Sequence, residues 1–143
     1  MIYAVIDTNV VVSSLITKNN HAATYLVMRH LFEGHVTPLY NQEILTEYAE
    51  VLARKKFNLP SETIDAVVSY FETYGIEASR FMSDEIFADE DDRVFYEVSL
   101  SIADSFLVTG NLKHYPVSPK VLSPSDFLRM IEGEKASSAY IST

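Results

Sequence analysis

The sequence predicts an α/β fold built on one mainly parallel sheet covered by helices on both faces. Three observations carry this. Short β-branched and aromatic runs alternate with stretches of helical periodicity, the pattern of strand–helix–strand crossovers. Two of those runs, VIDTN and FLVTGN, end in a polar Thr-containing turn, as expected where parallel strands finish on a common rim. The chain has 143 residues, 48% hydrophobic with four Gly and five Pro, which fits one domain with a substantial core.

Residues Ile2–Ile6 read as the first strand and 9–16 as a short helix. Over 22–33, Ala23, Leu26, Val27, His30 and Leu31 recur at helical spacing, and Gly34 stops that helix. Val36–Tyr40 reads as a second strand, with Pro38 placing it near an edge or a strand end. Asn41 suits the N-cap of a helix whose apolar face is Ile44, Leu45, Tyr48, Val51 and Leu52. Pro60-Ser61-Glu62 opens another, with Ile64, Val67, Val68 and Phe71 inward and Gly75 closing it. Residues 76–81 form a weak strand, 84–92 an acidic loop, 92–102 a helix and 105–109 a strand. A last strand falls at 120–122, and Ser123-Pro124-Ser125-Asp126 opens a terminal helix with Ser123 as N-cap. The domain is read as residues 1–132, and GEKASSAYIST (133–143) as a flexible tail or partner contact.

Composition narrows the function classes. Without cysteine there is no disulfide framework, thiolate zinc site or Cys nucleophile, which is compatible with a reducing cytoplasm. MIYAVID has no basic region and meets an acid at position 7, so it reads as neither a signal peptide nor a membrane span. Twenty acids against eleven Lys and Arg give a net charge of −9. That balance disfavours a standalone nucleic-acid binder unless cations or a basic partner compensate.

The acids concentrate where chemistry belongs. Asp7 ends the first strand, at the carboxyl edge where parallel sheets form sites; the alternative is an Asp capping the next helix. Glu43, Glu47 and Glu50 lie on the third helix, and periodicity alone does not say which faces a site. DEIFADEDD puts six acids in nine residues, a density that repels unless solvated, cation-bound or at a helix start, as Asp92 would be. Thr109-Gly110-Asn111 ends a strand much as Asp7-Thr8-Asn9 does. Carboxylates gathered on one rim point to an oxygen-ligand site for Mg²⁺ or Mn²⁺. His21, His30, His35 and His114 lie at no metal-ligand spacing. His114, Lys113 and the basic run Arg54-Lys55-Lys56 are the candidates for substrate phosphates, against the plainer reading as ordinary loop and helix-end charges.

In order, DTN after a strand, EILTEYAEVL with KKF, DEDDRVFYEVSLSIADSFLVTGN and VLSPSDFL resemble the PIN-domain family, more narrowly its bacterial toxin components of toxin–antitoxin pairs. The resemblance covers roughly residues 1–131 and implies a three-layer α/β/α sandwich that hydrolyses RNA phosphodiesters with water activated by Mg²⁺ or Mn²⁺. By motif position, Asp7, Glu47 and Asp92 are the catalytic and metal-binding acids, with Thr8, Asn9 and Thr109 in support. Asn111 stands where many members carry a fourth acid, and offers a neutral ligand. Asp91 and Asp104 are nearby acids in reserve, Asp104 opening its strand rather than ending it. The family also implies a homodimer and an antitoxin partner.

Other classes fit less well. A phosphoaspartate hydrolase needs a second acid at position 9, which is Asn, and a receiver module needs adjacent acids and a Lys after a late strand. The non-enzyme alternative is a degenerate PIN domain kept as a binding partner, favoured by Asn111.

Overall fold

The computed structural model describes residues 1–141, with side chains described to Gly133. The strands and helices are β1 (Ile2–Ile6), α1 (Thr8–Ile16), α2 (Ala23–Phe32), β2 (Val36–Tyr40), α3 (Gln42–Leu52), α4 (Ser61–Tyr74), β3 (Ile76–Glu77), α5 (Arg93–Leu100), β4 (Ser105–Val108), β5 (Val121–Leu122) and α6 (Pro124–Ile141). Single 3-10 turns lie at Lys55–Phe57, Glu90–Asp92 and Leu112–His114. The 133–143 tail expected from the sequence falls almost wholly outside the described side chains.

All strand pairs are parallel, in the order β3-β2-β1-β4-β5. Ala4, Val5 and Ile6 are fully buried in succession. Because consecutive strand residues point to opposite sides, both faces of β1 are covered, and the molecule is the α/β/α sandwich the sequence predicts. The chain leaves β1 toward β2 on one side and returns through α5 to β4 on the other. The carboxyl end of β1 is therefore the switch point where open parallel sheets place sites.

Local chemistry explains several element ends. Asn41 Oδ1 accepts from the Ile44 amide at 2.9 Å, capping α3, and Ser123 Oγ accepts from the Asp126 amide at 3.1 Å, capping α6. Gly34 closes α2 at φ +86°, a left-handed conformation that favours glycine. Pro38 lies mid-strand rather than at an end. β3 pairs only with Leu39 and Tyr40, so the stretch of β2 around Pro38 is locally an edge, where proline is tolerated. The strand expected over 76–81 shrinks to Ile76–Glu77, both exposed. The helix expected over 92–102 splits into a 3-10 turn ending at Asp92 and α5.

Tyr48 and Phe71 on the facing helices α3 and α4 meet edge-on, ring centroids 5.0 Å apart, and both are fully buried. The Tyr48 hydroxyl donates to the Ile6 carbonyl, so α3 is fastened to the last residue of β1. That contact fixes where the acids of α3 stand relative to the rim.

Candidate active site

Strand register assembles the first half of the site. Ile6 pairs with Val108, and one residue further on Asp7 and Thr109 stand side by side. The Asp7 amide donates to the Val108 carbonyl at 2.9 Å. Asp7 sits at the N-cap of α1, yet its side chain makes no capping bond. Its Oδ2 instead accepts from Thr109 Oγ1 at 2.8 Å, the Tyr115 hydroxyl at 3.0 Å and Asn9 Nδ2 at 3.3 Å. A carboxylate 5% exposed is held in one orientation by three donors from three parts of the chain. Burial pushes its pKa up, while the bonds from Thr109 and Tyr115 oppose that rise.

Asn9 and Thr109 close the two turns onto each other. Asn9 Oδ1 accepts from the Gly110 amide at 3.1 Å, and Thr109 Oγ1 accepts from the Asn111 amide at 3.0 Å. Among the helix acids, Glu47 faces the rim, its carboxylate accepting from the Thr8 hydroxyl. Glu43 turns away to Arg80 Nη1 at 2.8 Å, and Glu50 is exposed. Burial raises the Glu47 pKa, the Thr8 bond opposes this, and the charges of Asp7, Asp91 and Asp92 add to the rise.

Asp92 ends the 3-10 turn before α5 and likewise spends no side-chain bond on capping. Burial, then the charges of Asp7 and Asp89, push its carboxyl up to about 6, against the pull of His114. His114 Nδ1 stands 3.5 Å from Asp92 Oδ2. Asp7, Thr8, Asn9, Glu47, Asp91, Asp92, Asn111 and His114 share one cleft of about 460 Å³. Asp91 and Asn111 are exposed on it. Asp104 does not join them: it is exposed before the first residue of β4, at the end of the sheet opposite the rim. Lys113 is exposed beside the cleft without lining it.

The donor set is all oxygen, which suits Mg²⁺ or Mn²⁺. Desolvation raises all three carboxylates and the charges of neighbouring acids add to the rise at Glu47 and Asp92, and a cation between them would relieve both. Among the described residues no three carboxylate or imidazole groups converge on one point as a ready ligand cage. A Mg²⁺-like ion, which keeps several waters, does not require such a cage. The residues present fit a hydrated divalent cation.

The sign of the Asp92 shift gives a prediction. A carboxyl raised in the fold contributes stability while protonated, and that contribution is lost as pH rises through about 6. Asp92→Asn is expected to be more stable than wild type at neutral pH without metal. The gap should narrow by about 1 kcal/mol toward about pH 4, a figure discounted for solvent screening. Urea titrations at several pH values check this, and a pH-independent gap would contradict it.

Two residues that support the cleft are not among those the sequence singles out. Tyr115 lies in the loop NLKHYP and reaches Asp7 only through the β4–β5 connection. Tyr115→Phe is expected to cost about 1.5–3 kcal/mol in urea unfolding at neutral pH, the range for a hydrogen bond to a charged group. A change below a few tenths would remove it from the site. The second is Glu97, fully buried in α5. It accepts from Arg80 Nε and the Ser83 amide, each at 2.9 Å, with Arg93 Nη1 at 3.6 Å. A charged residue on the face of Val94, Phe95 and Val98 is the trace this network leaves in the pattern.

A profile of the PIN domain matches residues 3–113, a span that holds every cleft acid. None of the curated proteins matches the chain. PIN domains are generally nucleases and typically use divalent metals. With the match covering well over half of the chain, and the fold and the rim of acids agreeing with it, the chain belongs to the PIN-domain family.

Proposed function

We propose that the chain is a divalent-metal-dependent endoribonuclease and the toxin component of a toxin–antitoxin pair. The observation that carries the nuclease reading is the meeting of Asp7, Glu47 and Asp92 from three elements in one cleft at the switch point of the sheet. Mg²⁺ or Mn²⁺ at Asp7, Glu47 and Asp92, with Asn111 as a neutral oxygen ligand, would activate water and offset charge on the leaving oxygen. The chain's own part is preorganisation. Thr109, Tyr115 and Asn9 hold the Asp7 carboxylate, Thr8 holds Glu47, and the Asn9–Gly110 bond keeps the two turns together. Placing these groups before substrate arrives removes reorganisation from the reaction. His114, beside Asp92 on the cleft, is placed to approach a substrate phosphate.

The toxin assignment, the antitoxin partner and a homodimer rest on the resemblance of the ordered motifs. A cytoplasmic setting accords with the lack of cysteine, and among the described residues no helix is long and apolar enough to cross a membrane. The second reading, a degenerate PIN domain acting as a binding partner, is favoured by Asn111 and by the open spacing of the acids.

Incubation with total RNA and Mn²⁺, with EDTA as control, is expected to give internal cleavage that needs the metal. Induced expression is expected to arrest growth in wild type and not in Asp7→Asn. Absence of both cleavage and calorimetric heat at millimolar metal would favour the degenerate reading.

A further inference from the structure

The cleft is lined by residues of two unlike chemistries. One set is its carboxylates. The other is apolar, Val12, Ile16, Val51 and Phe57, with Arg54 also lining the cleft. A metal ion or a bare phosphate has no use for an apolar lining, whereas a flat nucleobase does. Arg54 and Phe57 come from the turn after α3, where a 3-10 turn spans Lys55–Phe57. Lys56 Nζ lies 5.1 Å from the centre of the Phe57 ring, adding positive charge at the same spot.

Arg54 stands apart from the other arginines. Arg29, Arg80, Arg93 and Arg129 each pair with a carboxylate, while Arg54 enters no ion pair among the described residues and is exposed at the cleft mouth. In a chain of net charge −9, an unspent guanidinium at the edge of an acidic cleft is the cation a phosphate would find. The pocket next to it, which shares Glu47, Val51, Arg54 and Asp91, adds Glu43, Glu50 and Glu90.

We infer that Arg54 and Phe57 form a substrate-positioning subsite for one unpaired nucleotide, Phe57 stacking its base and Arg54 pairing its phosphate, next to the bond that is cut. A duplex keeps its bases stacked inside and cannot cover the apolar lining, so the subsite selects unpaired strand or loop. This rests on the nuclease reading above.

The test is cleavage kinetics in Mn²⁺ on an end-labelled RNA strand of about 12 nucleotides, long enough to span a stacking groove, free or annealed to its complement. Arg54→Ala and Phe57→Ala are each expected to lower kcat/KM for the free strand about ten-fold, chiefly through KM, as loss of a phosphate contact or a stacked base does. Phe57→Leu, which keeps the apolar packing, should show the same loss, Arg54→Lys should recover part of it, and Arg29→Ala, a cation outside the cleft, should change nothing. The salt slope of log(kcat/KM) should fall by about 0.7 in Arg54→Ala. Wild-type kinetics in both alanine variants, or equal cutting of strand and duplex, would overturn the subsite and leave the nuclease reading standing. No cutting by wild type at any metal concentration would overturn both.

Discussion

Asp7→Asn is expected to reduce metal-dependent RNA cleavage by about 10³-fold or more, in the range seen when a principal group of an active site is removed. The amide keeps the size of the carboxylate, and its Oδ1 can still accept from Thr109 and Tyr115. What it loses is the charge that attracts the ion and raises the pKa of Glu47 and Asp92. The fold should therefore not suffer. A carboxylate raised by burial is a cost to the apo protein at neutral pH, so removing its charge leaves stability equal or higher. The variant should be inactive, fully folded, and no longer stabilised by added Mn²⁺ in a thermal melt. Loss of activity together with loss of folding would mean that Asp7 is structural.

The opposite balance is expected at Glu97. Glu97→Ala removes the fully buried carboxylate that two arginines and the Ser83 amide face, and should cost about 3 kcal/mol in urea unfolding. Arg80 and Arg93 are partly exposed, at 28% and 19%, and can turn to water, which keeps the cost below the upper range for a broken buried pair. The consequence reaches beyond stability. Arg93 also donates to the Ser83 and Glu85 carbonyls at 2.8 and 2.7 Å, so the network ties down the loop that leads into Asp89, Asp91 and Asp92. Partial loss of cleavage is expected even where the protein stays folded, and Glu97→Gln should restore part of both. An unchanged urea midpoint in Glu97→Ala would show that the arginines need no carboxylate there.

The reach of the sequence can be judged residue by residue. β1, β2 and β4 are legible because strands buried on both faces must be nearly continuous β-branched and aromatic runs. Asp7 was legible from its place at the end of such a run. Glu47 was not separable from Glu43 by periodicity, since the two share a face; Thr8 and Arg80 sort them, and neither is near them in sequence. The acidic run 84–92 reads as loosely solvated, yet its backbone is gripped by Arg93. Arg93 follows that run, so its fork of donors could be suspected but not aimed. Tyr115 was out of reach because nothing local marks a tyrosine that serves a carboxylate near the other end of the chain. Apolar patterning encodes elements well. Polar contacts across the sheet depend on register, which no single segment contains.

Two of the three donors that hold Asp7, Thr109 and Tyr115, lie 102 and 108 positions further along the chain. At ordinary rates of synthesis, Thr109 and Tyr115 follow Asp7 out of the ribosome by on the order of ten seconds. Until then β1 has no β4 to pair with, and the carboxylate has neither its dry environment nor its fixed direction. A nascent chain thus carries Asp7 without the rest of its site until the β4–β5 connection has been made. Under the proposed nuclease reading, the long sequence span of this one hydrogen-bonded cluster means that the cleft is complete only after Thr109 and Tyr115 have emerged.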